Sequence, residues 1–406
     1  MVFLSSESWW SHVSAAPPDV MLQSGEAYTR DRHPEKVDLT AGVYRDDSGN
    51  PWVLPCVRQA EKKLAAKNLD KEYLPIDGFP DFCLNSTKLV LGEDSELLAE
   101  GRVAMIQAVG GTGGLRVTLE FMSQFYRGVN EIWSSDPTYG AYEGVLRHFK
   151  SVKKYRYYDY HKKCLDFTGF LEDIGRMPEG SIILLQPSAH NPSGVDPTLE
   201  QWAEISGALK KRRIYPIIDV AHLGLAKGDT EQDSASVRLF ARDGHQFTIV
   251  QTYSKSLGLY GERVGSLSFV TASADEAARV RSQLKIIMRE MYSCPPVNGV
   301  RIANEIFADP DLKKQWIKDL KTMTDRINSS RKALKEHLDK TGTKLNWDHV
   351  TNQVGMCCFS GLTLEQVKRL GNEHHVYVSV DGRIAVARIT PGNVERVARA
   401  LHEVTK

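Results

Sequence analysis

The chain has 406 residues, 41% of them hydrophobic and 25% charged, with a formal net charge of +1. That length is too great for one small domain and sufficient for a large buried core, and the composition is that of a soluble globular protein. The balanced charge gives no electrostatic reason for a nucleic-acid or membrane partner, and no apolar run approaches the ~20 residues needed to span a bilayer. The six cysteines, Cys56, Cys83, Cys164, Cys294, Cys357 and Cys358, have no metal-ligand spacing and are expected to remain thiols, with Cys357-Cys358 assigned to packing in an alternating strand pattern.

At the N-terminus, residues 1–6 lead into the chain without basic character, and the first arginine is Arg30. The expected location is therefore the cytoplasm, or the mitochondrion if the chain is a trimmed mature form. A strand over 103–109 runs through Gly110-Gly111-Thr112-Gly113-Gly114 into an amphipathic helix expected to begin near Leu115. An apolar strand over 182–185 precedes Ala189-His190-Asn191-Pro192-Ser193-Gly194. Lys210-Lys211-Arg212-Arg213 reads as a solvated helix end, and the next strand, 214–219, stops on Asp219. A β-branched run over 247–250 precedes Tyr253-Ser254-Lys255-Ser256, and Arg263 follows eight residues after Lys255. This strand–helix alternation over 103–270 predicts an α/β fold with a mainly parallel sheet flanked by helices. Residues 273–336 read as largely helical, and the amphipathic run 312–338 is expected to link two domains. The tail adds short strands at 355–359 and 376–380 and a final helix at 394–404. The expected division is an N-terminal arm with part of the small domain (1–45), a large domain (46–310), and a small α+β C-terminal domain with its linking helix (311–406).

Four of these strand ends carry chemistry at the rim where open α/β sheets bind ligands. Lys255 offers an amine for a Schiff base, among small neighbours that leave room for a bulky cofactor, and Arg263 offers a charge for an anionic group. Asp219 is placed to pair with a ring nitrogen and keep it protonated; the plainer reading is a helix cap. The Asn191-Pro192 bond is a candidate cis peptide at the rim, or an ordinary turn. The glycine run lets backbone N–H groups approach a phosphate at a helix N-terminus. Each signal alone has a bland alternative, but together they match different atoms of pyridoxal phosphate (PLP).

These segments, with Ser8-Trp9-Trp10-Ser11-His12-Val13, Val43-Tyr44-Arg45-Asp46-Asp47, Asn68-Leu69-Asp70-Lys71-Glu72-Tyr73-Leu74-Pro75-Ile76 and the closing Val404-Thr405-Lys406, resemble the aspartate aminotransferase family of fold type I PLP enzymes from end to end, above all its mature mitochondrial members. The resemblance implies a homodimer with shared active sites, PLP as cofactor, and amino acid and oxo acid substrates. It implies that Lys255 carries the Schiff base and shuttles the proton, that Asp219 pairs with the pyridine nitrogen and that Asn191 bonds the phenolic ring oxygen. Gly111, Thr112, Thr252 and Arg263 form the phosphate cup beside Gly110, and Tyr73 reaches a phosphate across the dimer interface. Arg383 matches the α-carboxylate arginine, beside Gly42 and Asn191, and Arg289 the distal-carboxylate arginine supplied by the partner. Guanidinium forks suit carboxylates, so the implied reaction transfers an amino group from a dicarboxylic amino acid such as aspartate to 2-oxoglutarate.

The chain departs from the family where cofactor contacts concentrate. His222 stands for a tyrosine that donates to the ring oxygen, Tyr139 for the tryptophan that stacks on the ring, and Tyr142 for a histidine that backs the pyridine aspartate. Gly110 replaces a serine, Cys294 an asparagine, Cys357 a phenylalanine and Arg388 a glycine. These departures support a second expectation, a divergent PLP enzyme that carries out β-decarboxylation, elimination, substitution or carbon–carbon bond formation on an aspartate-like substrate. A third, from another class, is a non-catalytic binding protein that has kept the scaffold.

Overall fold

The computed structural model describes residues 8–16, 20–147, 149 and 151–406, and the 1–6 segment on which the expected location rests lies outside them. Seven strands form the central sheet: β2 (Val103–Val109), β3 (Glu131–Asp136), β4 (Ser151–Arg156), β7 (Ile182–Leu185), β8 (Tyr215–Val220), β9 (Thr248–Thr252) and β10 (Val264–Val270), ordered β2-β10-β9-β8-β7-β3-β4. Every pairing is parallel except those of β10, which runs antiparallel to both β2 and β9. Strands β7, β9 and β10 are buried at every residue, as expected of a sheet covered on both faces. A short hairpin, β5 (Tyr158–Asp159) with β6 (Cys164–Leu165), lies outside this sheet.

Of two further two-stranded sheets, one joins the N-terminal part of the chain to the C-terminal part and the other lies within the C-terminal part. Strand β1 (Val37–Leu39) pairs in parallel with β12 (Val376–Val378), and β11 (Cys358–Phe359) pairs antiparallel with β13 (Arg383–Ile384). The strands expected at 355–359 and 376–380 are thus shorter than the pattern suggested. The long linking helix is Pro310–Lys340, started by proline in its first turn and by the Asp309 carboxylate, which accepts from the Asp311 and Leu312 amides. It buries Leu312, Trp316, Leu320, Met323, Ile327, Leu334 and Leu338, the stripe that a 3.6-residue period places on one face.

The glycine-rich turn differs from expectation. The helix begins at Gly110 and runs to Phe125, so the glycines form its first turn rather than a loop before it. Gly110 itself has φ +65° and sits at the strand-to-helix break.

Arg331 ties the long helix to the C-terminal segment. It is 1% exposed, and its guanidinium donates to the carbonyls of Val350 (2.8 Å), Gly355 (2.8 Å) and Cys357 (2.5 Å). No carboxylate is among these partners, so the side chain organises backbone rather than an ion pair. Replacing it by Met removes the donors while keeping most of the bulk. Three buried carbonyls left unpaired, at ~1–3 kcal/mol each, predict a loss of ~3 kcal/mol or more in urea unfolding; an unchanged midpoint would show that the guanidinium is not structural.

Candidate active site

The carboxyl ends of β2, β3, β7, β8 and β9 share one edge of the sheet, and each is followed by a residue of the site. Because β10 is antiparallel, its start lies at the same edge and brings Arg263 there. An inner cavity of about 240 Å³ is lined by Gly42, Gly111, Thr112, Tyr139, Asn191, Asp219, His222, Thr252, Lys255 and Arg263, among others. An outer cavity of about 820 Å³ shares Gly42, Tyr139, Asn191, His222 and Lys255 with it and adds Arg383, Cys357 and Thr40.

At the floor, the buried Asp219 carboxylate accepts a 2.5 Å hydrogen bond from the Tyr142 hydroxyl at Oδ2. Its other oxygen, Oδ1, is buried and has no partner among the described residues. A dry, unpaired carboxylate oxygen is costly, and a protonated ring nitrogen is a donor that satisfies it. Burial pushes the Asp219 carboxyl up, opposed by the Tyr142 hydrogen bond and the positive charge of Lys255. Tyr142 is itself held well above the usual phenol range by burial beside that carboxylate, so it remains a donor.

Burial also lowers the Lys255 amine, helped by the Arg383 and Arg263 guanidiniums and opposed by Asp219. His222 is held well below its usual range by burial and by the positive charges of Lys255 and Arg383, so its imidazole is neutral. Its Nδ1 is buried without a partner among the described residues. Tyr139 lines both cavities and meets the Tyr142 ring edge-on, with centroids 5.4 Å apart.

The first turn of the Gly110–Phe125 helix supplies Gly111 and Thr112 to the inner wall, beside the Arg263 guanidinium. Helix N-terminal amides with a nearby cation form an anion site. Arg263 donates to the Tyr260 carbonyl (3.0 Å) and the Ser254 hydroxyl (3.3 Å), both neutral. Gly110 is not in the wall. Its role is steric: a Cβ there would meet Arg263 Nη2 at 2.5 Å, so the missing side chain makes room for the guanidinium. The residues present therefore fit PLP: an unsatisfied acceptor for its ring nitrogen, an amine for its aldehyde and a helix terminus with an arginine for its phosphate.

Arg383, buried at the start of β13, donates to the Thr40 carbonyl (2.8 Å) and Asn191 Oδ1 (3.4 Å), and lies 3.7 Å from Cys357 Sγ. The Asn191 backbone is pinned by Gln186, which accepts from its amide (2.9 Å) and donates to its carbonyl (3.1 Å). The Asn191-Pro192 bond is cis, and so is Asp136-Pro137, which sequence reasoning did not single out. Asp196 accepts from the Ala189 and His190 amides and shapes the same loop.

Two expected residues do not join the cavity of this chain. Tyr73 is 88% exposed, and Arg289 is exposed on the Ala274–Met291 helix; neither lines either cavity. Both were expected to serve a partner's site. Cys357 and Cys358 are both buried in the core, as expected of packing residues, but only Cys358 lies in β11; Cys357 precedes it and also lines the outer cavity beside Arg383. Sequence reasoning missed Ser254, Gln186, Tyr260 and Thr40. Ser254 carried a signal in its hydroxyl next to Lys255, and Gln186 in its polarity directly after an apolar strand.

Residues 34–401 match the family model for aminotransferase class I and II. The chain is 48% identical to the mitochondrial aspartate aminotransferase of Xenopus tropicalis, covering 99% of this chain and 94% of the relative. It is 44% identical to that of Arabidopsis thaliana, covering 99% and 93%. Among solved structures it resembles the cytoplasmic aspartate aminotransferase of Saccharomyces cerevisiae, with TM-score 0.94, 39% identity and 98% of each chain covered. It resembles equally an aromatic-amino-acid aminotransferase of Burkholderia pseudomallei covalently bound to pyridoxal phosphate, with TM-score 0.94, 39% identity, 98% of this chain and 100% of that one. A sheet edge that gathers an amine, a carboxylate and two guanidiniums, together with full-length matches on both counts, means that this chain belongs to the aminotransferase class I and II family.

Proposed function

We propose that this enzyme transfers the amino group of an acidic amino acid, aspartate or glutamate in class, to 2-oxoglutarate, with PLP in the inner cavity. The observation that carries the reading is the placement of Lys255 between Asp219 on one side and the Arg383 fork on the other, at the junction of the two cavities. When bound, PLP supplies an electron-withdrawing ring joined to the substrate nitrogen, which makes the Cα proton acidic.

The protein's own groups do the rest. A neutral Lys255 amine, favoured by burial, takes the Cα proton. Asp219, whose ionised form the Tyr142 hydrogen bond favours against burial, would pair with the ring nitrogen and keep it protonated. Neutral His222 lines the inner cavity in the position where the family has a phenol. Arg383 binds the α-carboxylate in a forked geometry, and Asn191 and the Thr40 carbonyl fix its plane. Thr40, Ala41 and Gly42 form part of the outer cavity wall beside Arg383. In this reading residues 46–310 hold the cofactor, and residues 1–45 with 311–406 carry the carboxylate anchor. The pairing of β1 with β12 supports grouping the two termini.

The site is completed by a second copy of the chain. Trp9, Trp10 and Tyr73 are 83%, 75% and 88% exposed, an unusual cost for large aromatic side chains unless another surface covers them. Tyr73 and Arg289 then serve the partner's cavity, and Arg289 takes the distal carboxylate.

The direct test mixes PLP-loaded enzyme with L-aspartate or L-glutamate and no oxo acid. Conversion of the visible cofactor band to the pyridoxamine phosphate band, reversed by 2-oxoglutarate and absent in Lys255→Ala, is expected. Release of alanine, ammonia or carbon dioxide without the pyridoxamine form would sink the transaminase reading and favour the divergent one. Tyr142→Phe should weaken cofactor retention about tenfold or more in dialysis, since a hydrogen bond to a charged group contributes ~1.5–3 kcal/mol. Its sign on pH follows from the same bond. The Tyr142 donor lowers the Asp219 pKa, so its loss raises that pKa, and the acid limb of kcat/KM should move to higher pH. For the shared site, co-expressed Lys255→Ala and Arg289→Ala subunits should regain activity that neither homodimer has; no recovery would place Arg289 outside the partner's site.

A further inference from the structure

Arg388 stands where the family has glycine, and the structure gives that arginine a specific partner. Its Nη1 meets Asp38 Oδ2 at 2.5 Å, with both side chains largely buried. Asp38 Oδ1 in turn accepts from the Thr40 amide (2.9 Å) and the Thr40 hydroxyl (2.6 Å). The Thr40 carbonyl accepts from Arg383 Nη2 at 2.8 Å. Four residues thus form one continuous path, Arg388 to Asp38 to Thr40 to Arg383.

The backbone explains why the path is short. The Ala385 amide donates to the Leu39 carbonyl (2.9 Å), so the stretch from Arg383 to Arg388 runs alongside residues 38–40. The two arginines grip that segment at two points, Arg383 by a carbonyl and Arg388 by a side-chain carboxylate. Asp38, Thr40, Ala41 and Gly42 all line the outer cavity. Arg388 does not; it lines a separate cavity of about 470 Å³ on the other side of Asp38. The far end of the segment lies beside the anchor: a Cβ on Gly42 would make ordinary contacts, 3.9 Å from Arg383 Nη1 and 3.7 Å from Cys357 Sγ.

We propose that Arg388 is a positioning residue for substrate carboxylate binding, acting through Asp38 to hold Thr40, and through the Thr40 carbonyl to hold the Arg383 fork. Arg388 never touches substrate. The inference rests on Arg383 being the α-carboxylate anchor.

The test measures KM and kcat for the amino acid and the oxo acid, and the affinity of a non-reacting dicarboxylate, in Arg388→Ala, Arg388→Lys, Asp38→Asn and Arg383→Lys holoenzymes. Loss of one charge-assisted contact in the path predicts KM and inhibitor Kd raised about tenfold in Arg388→Ala and Asp38→Asn, with kcat falling far less. Arg388→Lys keeps the charge and should recover part of the loss. Cofactor affinity should be unchanged in Arg388→Ala, Arg388→Lys and Asp38→Asn, because neither Arg388 nor Asp38 lines the inner cavity. If Arg388→Ala does not fold, Arg388→Lys and Asp38→Asn read the same path. If Arg383→Lys raises KM and the Arg388 and Asp38 variants do not, the positioning role is overturned while the anchor stands. If Arg383→Lys itself leaves KM unchanged, the anchor assignment fails first.

Discussion

The site is governed by positive charges gathered on two joined cavities. Lys255, Arg263 and Arg383 converge there; Asp219 is the carboxylate of the inner cavity, and Glu26, Arg30 and Asp38 line the outer one. The hydrogen-bond partners of Arg263 and Arg383 are carbonyl, hydroxyl, amide and thiol groups, none of them charged. Guanidiniums do not shed their protons, so the cost of keeping them dry is relieved by anionic ligands. Lysine can shed its proton, and burial together with the two guanidiniums drives it to do so. One electrostatic arrangement thereby does two jobs: it draws a phosphate and a carboxylate into the cleft and leaves an amine free to act as a base.

The sheet makes this arrangement possible. Parallel strands present their carboxyl ends at one edge, so residues far apart in the chain arrive at one place without long loops. This much was legible in the sequence. The strand ends at Val109, Leu185, Asp219 and Thr252 were read within a residue or two, because buried parallel strands are short apolar runs with abrupt polar ends. The helix start at Gly110 was misplaced because glycine argues for a turn, and only the observed dihedrals show that a positive φ can open a helix directly. The second layer was not legible at all. Gln186 holding the Asn191 backbone, Ser254 touching Arg263 and Thr40 accepting from Arg383 depend on distances between segments, which no local pattern encodes.

The departures from the family pattern also look different in three dimensions. Tyr142 replaces a histidine, yet its hydroxyl reaches the same carboxylate, so the support of Asp219 is retained with a donor that does not titrate near neutrality. Gly110 is read in sequence as a lost hydroxyl; in the structure it is space taken up by Arg263. Cys357 belongs to the core and also touches Arg383 at the wall of the outer cavity. His222 is the substitution with the least compensation around it. Its neutral imidazole keeps an unpartnered nitrogen at the cavity wall, where a phenol would present only its hydroxyl. The aspartate and aromatic specificities among the structural relatives sit on the same backbone, so selectivity is a matter of such side chains rather than of the fold.

The hydrogen bond from Arg383 to Thr40 joins residues 343 positions apart, and that from Tyr142 to Asp219 spans 77. Contacts this remote in the chain form late, since the intervening polypeptide must be ordered before its ends can meet. The central sheet can be completed by residue 270, with the floor of the inner cavity in place. The carboxylate anchor is assembled only when the last strands return to pair with the first. During synthesis, the ability to hold a cofactor therefore precedes the ability to hold a substrate, and binding of the second kind certifies that the whole chain has folded.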